Sequence, residues 1–216
     1  MPGRFAALTA TLGLSIILAA SAAAQDGVFH LPGSKVETQI TLNYGNAKPP
    51  SGFLTLCKRL PKICANISAT VREPVISATQ WAEIDRINRD VNRRIASMSD
   101  QDLYGQEEFW TYPTNAGDCE DYVLEKRREL LNIGMPAAAL LITVVLDEHG
   151  EGHAILTVSS AVGDYILDNR RNEILHWSAV NYKFLKRQSP ANPRDWVALA
   201  PQKPQAALVS SGNSAP

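Results

Sequence analysis

The chain has 216 residues, 45% hydrophobic and 20% charged, with a formal net charge of -1. This describes one globular domain of ordinary size. So even a balance excludes an electrostatic case for nucleic acid or an acidic membrane surface, and the one basic run, "KRR" at 126 to 128, reads as a solvated helix face.

In chain order, Arg4 supplies a minimal positive region, "FAALTATLGLSIILAA" an apolar core, and "SAAAQD" a small-residue exit. Ala22 and Ala24 satisfy the small-x-small cleavage rule, which predicts a signal peptide over 1–24 and a mature chain from Gln25. The alternative is a retained anchor, since residues 5–24 carry no charge and nearly suffice to span a bilayer. No cysteine follows the apolar core, which argues against a lipoprotein. The expected location is an exported compartment, most simply a bacterial periplasm.

Residues 25–75 are rich in Gly, Pro, Asn and Thr and read as loops with short extended pieces. They include "LCKRLPKIC", which holds Cys57 and Cys64. Pro61 between them disfavours a continuous helix, so a turn can bring the two together as a disulfide. Cys119, the third cysteine, is then left over as a candidate reactive thiol in an oxidising compartment. "SATQWAEIDRINRDVNRRIASM" opens with a capping-box pattern, Ser77 to Gln80. Trp81, Ile84, Ile87 or Asn88, Val91 and Ile95 follow at helical spacing, predicting an amphipathic helix. "DQDLYGQEEFWTYPTNAG" reads as a long polar and aromatic connection, in which Trp110 and Tyr112 either line a cleft or belong to the core.

A second helix is predicted from about Asp118 to Ile133, with Tyr122, Val123, Lys126 (by its stem), Leu130 and Ile133 on its buried side and Gly134 and Pro136 as stop signals. "AALLITVVLD", "HAILTVSS" and "YILDN" read as strands joined by short turns, hence antiparallel neighbours. Residues 176–199 add a further strand or two ending in "WVALA". The domain is set at 25–199, and 200–216 is expected to be a disordered tail. The fold class is α+β: a helix with Cys119 at its start, packed on an antiparallel sheet.

"NAGDCEDYVL" places Asp118, Glu120 and Asp121 around Cys119. Carboxylates oppose ionisation of a thiol, so either Cys119 is inert or something offsets that charge. A helix N-terminus favours a thiolate and offers amides for an oxyanion. A nucleophilic cysteine also needs a base, and the base an orienting acceptor. His153 opens the second strand and Asp168 ends the third, so a hairpin near Gly163 puts both at one end of adjacent strands. His149, in the polar turn "DEHGEG", competes as the base, while His30 and His176 lack a comparable setting. Taken singly, Cys119 is a buried small residue, His153 a hydrogen-bonded strand residue and Asp168 a turn former. Their agreement with one topology makes a Cys-His-Asp triad. No Cys/His cluster has zinc spacing.

"GDCEDYVLEKRRELLNIG", "GHAILTV", "GDYILDN" and "W…Y…RQS", with upstream "LCKRLPKIC" and "YGQEEFWTYP", resemble the bacterial transglutaminase-like cysteine proteinase family over about 52–199. The resemblance implies a papain-like or transglutaminase-like fold and a triad at Cys119, His153 and Asp168. It further implies calcium beside the cysteine, held by Asp118, Glu120 and Asp121, and a protein substrate such as a large surface adhesin whose cleavage controls biofilm attachment. An inner-membrane regulatory receptor is implied as a partner. The competing readings are a transglutaminase or amidase using the same thioester chemistry, and a non-catalytic calcium-responsive binding protein. The acidic residues, without a metal, would merely favour a helix N-terminus.

Overall fold

A computed structural model of the chain describes residue 40, residues 44–65 and residues 73–199. The expected signal peptide, the cleavage before Gln25, His30 and the tail at 200–216 lie outside the described residues.

The first described segment departs from expectation. After the short strand β1 (Asn46–Ala47), a helix α1 (Ser51–Arg59) stands where loops were expected. The Pro, Gly and Asn content around it hid a brief apolar repeat, in which Phe53 and Leu56 are buried and Cys57 packs beside them. Pro61 cannot continue the helix, and the chain passes into a 3-10 turn over Pro61–Cys64. That break returns Cys64 to a Cα–Cα distance of 5.6 Å from Cys57, and the two form a disulfide while Cys119 is free. Alkylation in denaturant without reductant should therefore modify Cys119 alone, as read by mass spectrometry. Cys57→Ser should cost about 2.5 kcal/mol, the chain-entropy value for so short a loop. Finding Cys57 and Cys64 both alkylated would remove the cross-link.

Helix α2 (Ala78–Arg94) follows the expected register. The Ser77 hydroxyl accepts from the Gln80 amide, and the Ser77 amide donates to Gln80 Oε1. Ile84, Ile87, Asn88 and Val91 turn inward. The stretch after it, expected as a loop, is partly built. Strand β2 (Ala96–Ser97) precedes a helical turn α3 (Asp100–Tyr104) capped by Ser99, and pairs in parallel with β3 (Ala116–Gly117).

Helix α4 (Cys119–Asn132) begins after its N-cap, Asp118. Tyr122, Val123, Lys126 and Leu130 are buried as expected, but Ile133 is 46% exposed. The helix stops at Asn132, and Gly134, at φ 88°, turns the chain away before Ile133 can reach the core. "KRR" is not a solvated face either, because Lys126 and Arg127 are 1% and 5% exposed. α4 packs against α2 on one side, and against the strands described below on another, so its middle has little access to water. Arg127 Nε donates to the Leu140 carbonyl at 3.0 Å. Burial pushes the Lys126 amine down to about 7, with the Asp168 charge partly opposing it.

The remaining strands are β4 (Leu140–Leu146), β5 (Gly152–Ser160), β6 (Gly163–Asp168), β7 (Arg171–His176), β8 (Lys183–Gln188) and β9 (Trp196–Ala198). With β1 they make one seven-stranded sheet in the order β1-β9-β8-β4-β5-β6-β7. Every neighbouring pair is antiparallel. Alternation divides the central strands β4, β5 and β6 between two apolar clusters. Leu156, Val158 and Leu167 join the helices in the main core, whereas Val145, Ile155 and Ile166 meet Tyr182 in a second cluster. The β5–β6 hairpin pairs Leu156 with Leu167, which carries His153 and Asp168 to the same end of adjacent strands. Among the described residues no helix is long and apolar enough to cross a membrane.

Candidate active site

β3 delivers the chain to α4 through a position that only glycine fits. A Cβ on Gly117 would lie 2.6 Å from Asp121 Oδ2. Asp121 is pressed over that glycine while its Oδ1 accepts from the Thr111 amide at 2.8 Å. Cys119 follows as the first residue of α4, where unpaired amides and the positive end of the helix dipole lie. Its Sγ accepts from the Ala154 amide at 3.4 Å and donates to Glu120 Oε2 at 3.2 Å. Burial, and then the Glu120 carboxyl, push the thiol well above its ordinary range.

His153 pairs with Val145 across the sheet and is 3% exposed. Its Nε2 meets Asp168 Oδ1 at 2.9 Å, so Nδ1 is the ring nitrogen outside that bond. Burial alone would raise the Asp168 carboxyl. Hydrogen bonds from His153, the Tyr182 hydroxyl and the Arg170 amide outweigh it and hold the group well below the usual carboxylate range. The turn that carries Asp168 is itself tied down from α2. Asn92 Nδ2 donates to the carbonyls of Asp168 and Arg171, both at 2.9 Å, and Asn88 Nδ2 to that of Asn172 at 3.0 Å.

Cys119 and His153 line one cavity of about 340 Å³, together with Ala154, Glu120, Trp110 and Val144. Trp110 resolves both alternatives at once. It is 3% exposed and packs edge-on against Phe53 in the core, yet it forms part of the cavity wall. Tyr112 flanks the core under the Arg128 guanidinium. His149 stays in the β4–β5 turn, its amide bonded to Asp147, and His176 bonds Ser178.

The acidic residues form two groups that share Asp118, within each of which the ligand atoms lie within 4.8 Å of one another. One is Asp118, Cys119 and Glu120; the other is Asp100, Asp118 and Asp121. Glu120 thus turns to the thiol, and Asp100 of α3, which the sequence did not mark, takes a place beside Asp118 and Asp121. Burial, then the charge of Asp118, pushes Glu120 up to about 9. Burial, with Asp118 and Asp100 adding to it against the Thr111 amide, pushes Asp121 up to about 8. Asp100 Oδ1, Asp118 Oδ1 and Asp121 Oδ2 are buried without a hydrogen-bond partner. Three carboxylates whose ligand atoms lie within 4.8 Å of one another, each with one orphaned oxygen, suit a hard cation that prefers oxygen, as calcium does.

A helix-borne thiol and a strand-borne His–Asp pair opening into one cleft define a class, the enzymes that transfer acyl groups through cysteine. The chain belongs to the bacterial transglutaminase-like cysteine proteinase family (BTLCP), whose profile matches residues 43–204. It is a cysteine protease by that membership. Among solved structures it is similar to calcium-bound LapG of Legionella pneumophila, at 22% identity, over 60% of this chain and 75% of that one, with a TM-score of 0.49. EGTA-treated LapG of the same organism matches at 23% identity, over 50% and 62% of the two chains, with a TM-score of 0.44. No curated protein matches the chain.

Proposed function

We propose that the chain is an exported, calcium-dependent cysteine endopeptidase that cleaves a protein substrate such as a large surface adhesin. The observation that carries this reading is the buried His153–Asp168 bond of 2.9 Å opening into the same cavity as Cys119. Export to a periplasm is supported by the apolar N-terminal pattern and by a disulfide, a cross-link favoured in oxidising compartments and rare in reducing ones.

Cys119 Sγ gives its proton to His153 Nδ1 and attacks the scissile carbonyl. Amides at the start of α4 receive the developing oxyanion. The imidazolium, held by Asp168, protonates the leaving amine, and water then hydrolyses the thioester by the reverse sequence. Asp100, Asp118 and Asp121, with Glu120 beside them, would hold calcium. When bound it supplies positive charge next to the thiol and neutralises the acidic cluster.

Incubation with large surface proteins of the same organism should release a fragment with one new N-terminus in calcium and none in chelator. Incorporation of a free amine into a glutamine donor, with no cleavage, would replace the protease by a transglutaminase.

A further inference from the structure

The stretch "W…Y…RQS" contains Tyr182, to which the mechanism gives no role. Tyr182 lies just before β8 and is 9% exposed. Its hydroxyl lies 2.6 Å from Asp168 Oδ2, and its ring meets that of His153 edge-on, with centroids 5.8 Å apart. We propose that Tyr182 is a positioning residue, whose hydroxyl locks the Asp168 carboxylate so that it presents one fixed acceptor to His153.

The direction of the bonds supports this. Arg171 Nη2 donates to the Tyr182 hydroxyl at 3.2 Å, and its guanidinium lies over the ring. Arginine can only donate. The phenol oxygen is therefore the acceptor on that side, and its own proton points to Asp168. Asp168 Oδ1 meanwhile accepts from His153 and from the Arg170 amide at 3.0 Å. With both oxygens engaged, the carboxylate cannot rotate about its Cβ–Cγ bond. Nε2–H then has a single acceptor, and Nδ1 is kept for the thiol. Burial, with the Asp168 bond adding to it, pushes the phenol up to about 12, so it remains a donor across the working range. The blander reading is a core tyrosine of the second apolar cluster whose hydroxyl takes the nearest acceptor.

The proposal rests on the triad reading, and the test separates the two. The other charged groups around the pair are Arg170 from the β6–β7 turn, Arg171 at the start of β7 with its Nε 3.7 Å from Asp168 Oδ2, Lys126 from α4, and Cys119 and Glu120 at the start of α4. Wild type, Tyr182→Phe, Arg171→Leu and Asp168→Asn are compared with calcium present. The readouts are the rate of Cys119 alkylation by iodoacetamide from about pH 5 to pH 9, the NMR resonance of the His153 Nε2 proton, and the melting curve. Tyr182→Phe keeps the ring against His153 and removes one oxygen. It should slow alkylation below neutral pH by about 10- to 100-fold, the size of one hydrogen bond to a charged group. It should also shift or broaden the Nε2 proton, with little change in melting. Arg171→Leu should act in the same direction and less. A wild-type profile and resonance in Tyr182→Phe, with both altered in Asp168→Asn, would overturn the proposal and leave the triad standing. Both variants behaving as wild type would sink the role of Asp168 itself. Should Tyr182→Phe not fold, a wild-type profile in Arg171→Leu overturns the proposal.

Discussion

Cys119→Ala should abolish turnover of a verified substrate, and Asp168→Asn should lower it by roughly 10⁴-fold, the loss expected when a triad imidazole is held in the wrong tautomer. The two changes remove different things. Alanine takes away one sulfur atom whose bonds are to the Ala154 amide and to Glu120. Ala154 belongs to the main core but is held there by its own side chain and strand β5, so the loss of one long sulfur bond to its amide should leave the melting curve close to that of the wild type. Asparagine keeps the shape of Asp168 but not its polarity. The carboxylate is met by His153 Nε2–H, the Arg170 amide and the Tyr182 hydroxyl, all of them donors. An amide must turn its own N–H₂ towards one of these. Where that N–H₂ faces His153, a donor meets a donor unless the ring moves its proton to Nδ1, the nitrogen assigned to take the thiol proton; where it faces Tyr182, the phenol must turn to accept and its lock on the group is lost. Both variants should be checked for folding by melting and for activity by single-turnover kinetics. Cleavage by Cys119→Ala at the wild-type rate would end the triad assignment. Wild-type cleavage by Asp168→Asn would restrict the machinery to Cys119 and His153.

The features that depend on local chemistry were legible in the sequence. The Ser77–Gln80 capping box, the Leu/Ile/Val strands with their short turns, and the helix start at Asp118 each rest on a few adjacent residues. The β5–β6 hairpin then needed only alternation and a turn at Gly163 to bring His153 to Asp168. What was not legible depends on contacts distant in sequence. Asp100 joins Asp118 and Asp121 because the β2–β3 ladder, Ala96 to Ala116, folds two loops together, and no spacing rule encodes that. Tyr182 meets Asp168 across the sheet end after two further chain reversals. Lys126 and Arg127 carry the charge of surface residues, yet α4 is enclosed, and their burial follows from packing alone. α1 was missed for a local reason: Gly52 looks like a loop residue, but a Cβ there would meet Trp110 Cδ1 at 2.2 Å, so the glycine serves a close approach and not a turn.

Chelation should lower activity steeply and destabilise the protein, and Asp100→Ala should weaken the response to calcium as much as Asp121→Ala does. Asp100 is the sharper test, because it lies on α3, away from the thiol's helix, and its loss leaves the start of α4 intact. Calcium bound only to the folded state should add roughly 2.7 kcal/mol at a hundredfold excess over its dissociation constant. The pH dependence gives a second check. Glu120 and Asp121 are pushed up to about 9 and about 8 by burial and by one another's acidic neighbours. A carboxyl whose folded pKa exceeds its unfolded value of about 4 binds its proton more tightly when folded. It therefore adds stability below that unfolded value and loses it as pH rises through the folded one. The calcium-free protein should melt progressively lower as pH climbs from about 5 to about 8, above which the Lys126 amine, pushed down to about 7, gains stability that offsets the remaining loss at Glu120. Calcium, by replacing the protons, should remove most of that fall. Melting curves at three pH values, in chelator and in calcium, decide the matter, alongside alkylation of Cys119 under the same conditions. Metal-free protein, verified by elemental analysis, with full activity and an unchanged melting curve on adding calcium at high pH, would overturn the metal site. The carboxylates would then be helix-end residues, and the α4 dipole with His153 would have to ionise Cys119 against their charge.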